Sequence, residues 1–422
     1  MENGRGTVTA ILADPGVGGV MALALLANLA LGLVLPILPL YARSFGVDYG
    51  QAGLLVAAFY LARLTFDLVG GVVVHRLGIA TSAVIGLVVL GGGAALTALS
   101  QTFPLAVVSW AVAGAGAAIV WSAMYTGLIR FVSKPRMARA VGMFYGAFNG
   151  GIIAGGFAGG VLAARFGTRA PLFVLAALAI GMVVFVSRSL RKAPTWPSPR
   201  GMDPLPSPPH KGEGAMRGER ERGGEGGSLF ALFRTPGFIG AVVALLAHLW
   251  LYGSVFSTLV PLFARDVLGI SPLGIGILFA IALAAEFAAY VPAGALADTR
   301  GRRFLLIPAF TGLAATCLLL GSATNFIVLA LLLALVGAGM GFAAVSPASM
   351  LADVLPENRS AIGVAIFRFG GDLGFSIGPL ICGMTAAHYG FTAAFIAAGI
   401  PCLIALVVVS LGPETLAMPR TA

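Results

Sequence analysis

Twelve apolar stretches, each long enough to cross a bilayer as a helix, run through this 422-residue chain and leave few architectures open to it. A spanning helix needs about 20 mostly apolar residues. The stretches are Val17–Tyr41, Gly50–Val74, Ile79–Leu99, Phe103–Ile129, Ala138–Ala164, Ala170–Leu190, Gly237–Phe263, Pro272–Ala297, Phe304–Ala323, Phe326–Ala352, Ala361–Ala387 and Phe391–Leu411. Backbone facing lipid must satisfy its own hydrogen bonds, so runs of this length read as helices rather than strands. The expected fold class is an all-α membrane protein with 12 transmembrane helices. Hydrophobic residues make up 59% of the chain and charged residues 10%. A soluble domain carries about 25% charge, so the apolar excess is read as facing lipid. The 59 glycines suit helices that pack backbone to backbone.

Basic residues orient the spans, because lysine and arginine accumulate in cytoplasmic loops. The side shared by the two termini carries Arg5, Arg76, Arg130, Lys134, Arg136, Arg139, Arg300, Arg302, Arg303, Arg359 and Arg420, besides the basic residues of a central segment. The opposite side carries Arg43, Arg165, Arg169 and Arg265. Both termini are therefore expected in the cytoplasm, with the chain in a cell membrane, the bacterial inner membrane as the expected location. The net charge of +10 lies in loops between spans, which argues against nucleic acid as a partner. The first stretch exceeds the core of a cleavable signal and reads as an uncleaved span. Cys317, Cys382 and Cys402 all lie in apolar runs and read as small core residues rather than as a disulfide framework or a metal site.

The sixth and seventh spans are separated by a segment rich in proline, glycine and mixed charge, residues 191–228, which has nothing to bury and is expected to be a disordered tether. Ser228–Arg234 (SLFALFR) then reads as a short interfacial lead-in. The tether divides the chain into two six-helix bundles, 1–190 and 229–422. A shift of about 223 residues lays one on the other. Pro39–Arg43 (PLYAR) matches Pro261–Arg265 (PLFAR), and Gly53 falls on Gly276, Gly71 on Gly294 and Gly78 on Gly301. The GAG of Gly114–Gly116 falls on that of Gly337–Gly339, and Gly151 and Gly155 fall on Gly374 and Gly378. Two parallel repeats imply a pseudo-twofold axis along the membrane normal and a solute site between the halves near the midplane.

The loop after the eighth span, Gly294–Arg303 (GALADTRGRR), resembles the loop motif of the major facilitator superfamily, with Gly294, Asp298, Gly301, Arg302 and Arg303 in its pattern. The resemblance extends over the chain apart from the tether. It implies two pseudo-symmetric bundles with a cavity built from spans one, four, seven and ten. Gly294 is expected to let helices approach closely, and Asp298 to cap a helix or pair with Arg302 or Arg303. The first-half copy, Gly71–Ala80, departs from the motif, with His75 in place of the aspartate and Ile79 in place of the first arginine. Gly371–Pro379 (GDLGFSIGP) resembles the family's exporter-associated fifth-span motif in its second-half copy, whereas the fifth span has Gly150–Gly156 without the proline. Trp110 stands where proton-coupled members carry an arginine. Any coupling must therefore use other groups.

A charge at the bilayer centre costs at least ~2.5–3.5 kcal/mol, so each buried one is a functional candidate. Five stand deep in spans: Arg63, Asp67, Glu286, Arg368 and Asp372. Counted from the shared basic side, Asp67 and Arg368 lie at matching depth, and Arg63 and Asp372 about one turn deeper. In the family fold the second and eleventh spans face each other. Two crossed ion pairs, Arg63–Asp372 and Asp67–Arg368, would then shut the cytoplasmic side in the outward-facing state. Internal pairing is the alternative, since Arg63–Asp67 and Arg368–Asp372 are each spaced i, i+4. A carboxyl in a low-dielectric setting holds a proton more readily than in water, so Glu286 is a candidate proton carrier, with Asp372 a second. The alternative for Glu286 is a neutral acid hydrogen-bonded to Asn149 across the contact between the fifth and eighth spans. Asn28, Trp121, Tyr125 and His248 are the candidate cavity-lining residues. For Trp121 and Tyr125 plain packing is the alternative, and for His248 a histidine merely satisfied between helices.

The GFSIG of Gly374–Gly378 matches a nucleophile-elbow pattern but lies within an apolar span, and no catalytic set accompanies it. No G-x-x-x-x-G-K-[ST] loop is present. The chain therefore reads as a secondary transporter, not an enzyme. It is expected to need no cofactor, to move a small organic solute by alternating access, and to export it at the expense of a proton gradient. Uptake of a polar metabolite such as a sugar or an organic acid is the second reading, and a receptor without transport is a third. The expected partners are the solute and the lipid bilayer, with the protein a monomer.

Overall fold

The structure, a computed structural model, describes residues 15–132, 137–189, 229–355 and 360–416. The tether at 191–228 and the basic residues Arg5, Lys134, Arg136, Arg359 and Arg420 lie outside the described residues. All the expected spans form helices. Span α1 runs over Pro15–Val34, breaks at 35–37 and resumes as Leu38–Arg43. Spans α2 to α6 follow as Tyr49–Leu77, Ile79–Leu99, Phe103–Phe131, Met137–Phe166 and Ala170–Ser189. A 3-10 turn, Leu229–Arg234, leads into α7, which passes from Pro236–Leu251 through π-helical Tyr252–Leu259 to Val260–Asp266. Then come α8 (Pro272–Arg300), α9 (Arg302–Leu320) and α10 (Phe326–Val354). The stretch Ser360–Leu411 reverses at Gly390 and supplies both α11 (360–389) and α12 (391–411).

Local chemistry sets these boundaries. At the start of α2, Gln51 N donates to Asp48 Oδ1 at 2.7 Å while Asp48 N donates to Gln51 Oε1, a reciprocal cap. Ser271 and Asn325 cap α8 and α10 one way only, accepting from Gly274 N and Val328 N. Pro36 lies in the α1 break and Pro261 is the second residue after the π-helical stretch of α7; a proline removes the N–H that an α-helix would use. Every described positive-φ residue is a glycine at a turn between spans, and these glycines fall into three pairs, Gly46/Gly269, Gly78/Gly301 and Gly167/Gly390, each separated by the same 223 residues. The internal repeat therefore exists in the backbone as well as in the residue pattern.

Close packing follows the repeat too. A Cβ on Gly114 would run into the Phe59 carbonyl, and one on Gly337 into the carbonyl of Ala282, its repeat counterpart. The halves touch through α2 against α11 and α5 against α8. Gly53 sits against the Pro379 carbonyl and Gly383 against that of Tyr49. On the symmetry-related side, Gly160 sits against Pro272 and Gly276 against Gly156. All these contacts lie toward the face away from the basic loops, hereafter the outer face. There Arg43 Nε also pairs with Asp266 across the halves at 3.4 Å, its guanidinium lies over the Tyr49 ring, and Tyr49 packs on Phe391 at 4.8 Å. Large apolar side chains such as Ile180, Val291 and Leu335 are exposed, as suits helix faces turned to lipid. The close approach expected at Gly294 is not made: no atom lies within 4 Å of where its Cβ would be, and the same holds at Gly71. Both sit near the basic ends of their helices, away from the inter-half contact.

Candidate functional site

A cavity of about 1040 Å³ lies between the halves. It extends from mid-span to Leu355 and Val364 near the basic ends of α10 and α11. Its outer-face end is closed by aromatic side chains from both halves. Tyr60 of α2 lies tilted against Phe375 of α11 with centroids 3.7 Å apart, and Tyr252 of α7 lies 5.3 Å from the same ring. The cavity is thus sealed toward the outer face and lined along its basic half. The walls are mostly apolar or aromatic, and the candidate polar residues project from them.

Asn28, Trp121, Tyr125, His248, Glu286, Arg63, Asn149, Arg368 and Asp372 all line this space. Asp67, one turn closer to the basic end of α2, stands off the lining but lies in the field of Arg63, Asp372 and Arg368. The four charges expected to form a gate thus converge, yet none forms an ion pair within 4 Å among the described residues, either crossed or internal. Arg63 instead lies 5.3 Å from the Trp121 ring centroid, and Arg368 lies 5.9 Å from that of Tyr125. Asn28 donates to its own helix at Ala24 O, 2.8 Å away.

Glu286 is 4% exposed and His248 6%. Sequence reasoning treated them separately. The structure brings them together, with His248 Nε2 at 3.9 Å from Glu286 Oε1, and Tyr290 Oη donates to that same oxygen at 2.9 Å. Glu286 Oε2 and His248 Nδ1 have no partner among the described residues. Asn149 does not bond Glu286. Its amide donates to Tyr145 O one turn back, because a carbonyl of its own helix is in reach. Tyr290 was missed, although its i, i+4 spacing from Glu286 carried the signal. Trp110, at the place of the family's arginine, is buried and stacks on Phe59 at 4.9 Å.

The loop motif gathers at the basic face. Arg302 reaches Asp298 at 2.7 Å and Asp353 of α10 at 3.3 Å. Gly301 takes φ +103° at the turn, and a Cβ there would lie 2.6 Å from Glu414, which follows α12. Glu414 accepts the backbone N–H groups of Arg302 at 2.9 Å and Arg303 at 3.0 Å, the first residues of α9. An anion suits N–H groups that have no partner within their own helix at its start. Burial alone would raise the Glu414 carboxyl, but the N–H groups of Leu416, Arg302, Arg303 and Thr415 hold it below the usual carboxylate value. Asp353 and Glu414 were not anticipated from sequence, since neither lies near the loop along the chain. Among the described residues no cluster of His, Cys, Asp and Glu is arranged to hold a metal.

The sequence profile of the Major Facilitator Superfamily matches residues 20–271 and 249–420. Among curated proteins, the chain is 33% identical over 153 residues to the Quinolone resistance protein NorA of Staphylococcus aureus, covering 36% of this chain and 39% of that protein. It is 37% identical over 105 residues to the Multidrug resistance protein MdtG of Salmonella arizonae, covering 24% of this chain and 25% of that one. The matches thus span about two fifths or less of these relatives' lengths. A solved bacterial homologue of the human lysosomal transporter Spinster, in its inward-facing and unoccupied conformation, superposes with a TM-score of 0.76 at 14% identity, covering 94% of this chain and 96% of that one. At that identity the likeness concerns the fold.

Proposed function

The chain belongs to the Major Facilitator Superfamily, secondary transporters that move small solutes across a membrane, and from that premise we propose that it exports an organic, largely apolar solute in exchange for protons. The observation that carries this reading is the cavity of about 1040 Å³ between the halves, mostly apolar in its walls, with the Glu286–His248–Tyr290 cluster at its side. Apolar and aromatic walls favour a solute that already partitions into lipid, and such a solute needs pumping out more than admission. The printed names of the relatives in Staphylococcus and Salmonella, resistance proteins both, point the same way.

Under the positive-inside rule the basic face is cytoplasmic. The structure then corresponds to the inward-facing member of the cycle, with the solute entering past Leu355 and Val364. Glu286 is the proposed proton carrier. Its unpartnered oxygen gives a proton a place to arrive, with the His248 ring 3.9 Å from its other oxygen. Asp372 is the proposed second titrating group. Closure of the cytoplasmic side is assigned to the crossed pairs Arg63–Asp372 and Asp67–Arg368.

The test is solute flux in proteoliposomes under an imposed pH gradient, across a panel of apolar amines, neutral aromatics, sugars and organic acids. Export-type flux of apolar compounds that collapses by at least about ten-fold in Glu286→Gln, while gradient-free exchange persists, is the expected result. Flux in Glu286→Gln that still follows the pH gradient removes that residue from coupling. Flux confined to sugars or organic acids replaces the exporter with an uptake carrier.

A further inference from the structure

Arg63 and Arg368 come from opposite halves, yet both rest against one helix. The Arg63 guanidinium carbon lies 5.3 Å from the Trp121 ring centroid, and that of Arg368 lies 5.9 Å from Tyr125. Trp121 and Tyr125 are four residues apart on α4, so their side chains leave the same face one turn apart. Trp121 is itself braced by Phe144 and Phe148 of α5, at 5.8 and 5.4 Å. Arg63 Nε is buried with no hydrogen-bond partner, and neither arginine has an ion pair among the described residues. The carboxylates of Asp67 and Asp372 are nearby but not engaged. A cation inside a membrane protein needs an electronegative neighbour, and the face of an aromatic ring provides one without a proton or a counter-charge.

We propose that Trp121 and Tyr125 are positioning residues of the transport cycle, which hold the guanidiniums of Arg63 and Arg368 while the basic face is open and release them to Asp372 and Asp67 when it closes. This rests on the inter-half gate assigned above. The two rings act in the state where the gate is apart, and the carboxylates act in the state where it is made. The strength of the ring contacts then sets the balance between the two faces. Arg368 reaching Tyr125 is a contact from the second half to the first, so it also limits how far the basic ends separate.

A thiol reporter tests this. The full-length protein in nanodiscs carries Val364→Cys, which lies on the cavity wall near the basic face, and its maleimide labelling rate reads how much of the population is open there. The three native cysteines are buried and give little background. Trp121→Leu and Tyr125→Leu each lower the rate by about three- to ten-fold, because each removes a contact made only in the open state. Trp121→Phe keeps a ring and most of the rate. Arg63→Gln raises the rate, and adding Trp121→Leu to it leaves that raised rate unchanged. If Arg63→Gln changes the rate and Trp121→Leu does not, the ring role is wrong and the gate survives. If Arg63→Gln leaves the rate unchanged, the gate itself is wrong and the ring role falls with it. Loss of solute binding in Trp121→Leu at an unchanged rate makes the ring a solute contact and overturns the proposal.

Discussion

Glu414 gathers four backbone N–H groups around one carboxylate, whereas Glu286 has a single hydroxyl donor and a histidine. The two acids are therefore built for different work. Glu414 is fixed as an anion, because each of its donors is satisfied only by the charged form at full strength. Its folded carboxyl lies below the ordinary value of 4.5, so the stability it contributes is complete above that value and is lost as pH falls through the folded value. Glu414→Gln is expected to lower the unfolding temperature by several degrees at pH 7. The difference from the parent protein is expected to shrink progressively as the pH is taken below 4.5, as followed by tryptophan fluorescence in detergent. A difference that stays constant down to acid pH would show that the carboxylate's charge is not what ties α12 to α9. Glu286 has one oxygen unpartnered and no backbone donor, so no comparable set of bonds commits it to a single protonation state. That openness suits a carrier of protons.

At the scale of helices, the outer-face seal is made by glycines that admit a neighbouring backbone. Gly53 is the clearest case, since any side chain there would meet the Pro379 carbonyl of the other half. Gly53→Leu is expected to push α2 and α11 apart at the outer face at a cost of about 1–3 kcal/mol in the present state, enough to change its population by about five- to a hundred-fold. Thiol labelling of an Asn28→Cys reporter from the outer side should rise accordingly, and flux should fall. Unchanged labelling would mean that α2 tilts without opening the seal. The spans and the repeat were legible because length, apolarity and the 223-residue glycine spacing all act along the chain. The irregular parts of α1 and α7 were not. Pro36 and Pro261 mark where an N–H is missing, but whether the helix turns, as at 35–37, or widens, as over Tyr252–Leu259, depends on what packs around it. The pairing of His248 with Glu286 was likewise invisible, because it needs the relative rotation of α7 and α8. Gly294 misled for the opposite reason. Its motif implies close approach, and in this state its helix end has no close neighbour there.

Taken over the whole molecule, the pseudo-twofold places a made contact at one face and an unmade one at the other. The outer face holds the halves with Arg43–Asp266, Tyr49–Phe391 and the glycine contacts. The half-exposed ion pair alone is worth about 0–1 kcal/mol, so most of that seal is packing. The basic side has the four charges Arg63, Asp67, Arg368 and Asp372 close together and unpaired. Rocking one half against the other would exchange these roles, opening the packed face and engaging the charges. The crossed arrangement predicts a specific rescue. Arg63→Asp leaves Asp372 without its cation and sets two carboxylates against each other, a loss of about 3–5 kcal/mol for a pair buried in the closed gate, or at least a hundred-fold in its population. Flux in proteoliposomes should fall to a few per cent or less. Adding Asp372→Arg restores the pair with its polarity reversed and should recover a substantial part of that flux. Internal pairing predicts the opposite ordering. Arg63→Asp would then be relieved by Asp67→Arg on the same helix, and Asp372→Arg would only deepen the defect. The two double variants, measured side by side, decide whether these charges join the halves or merely neutralise each helix on its own.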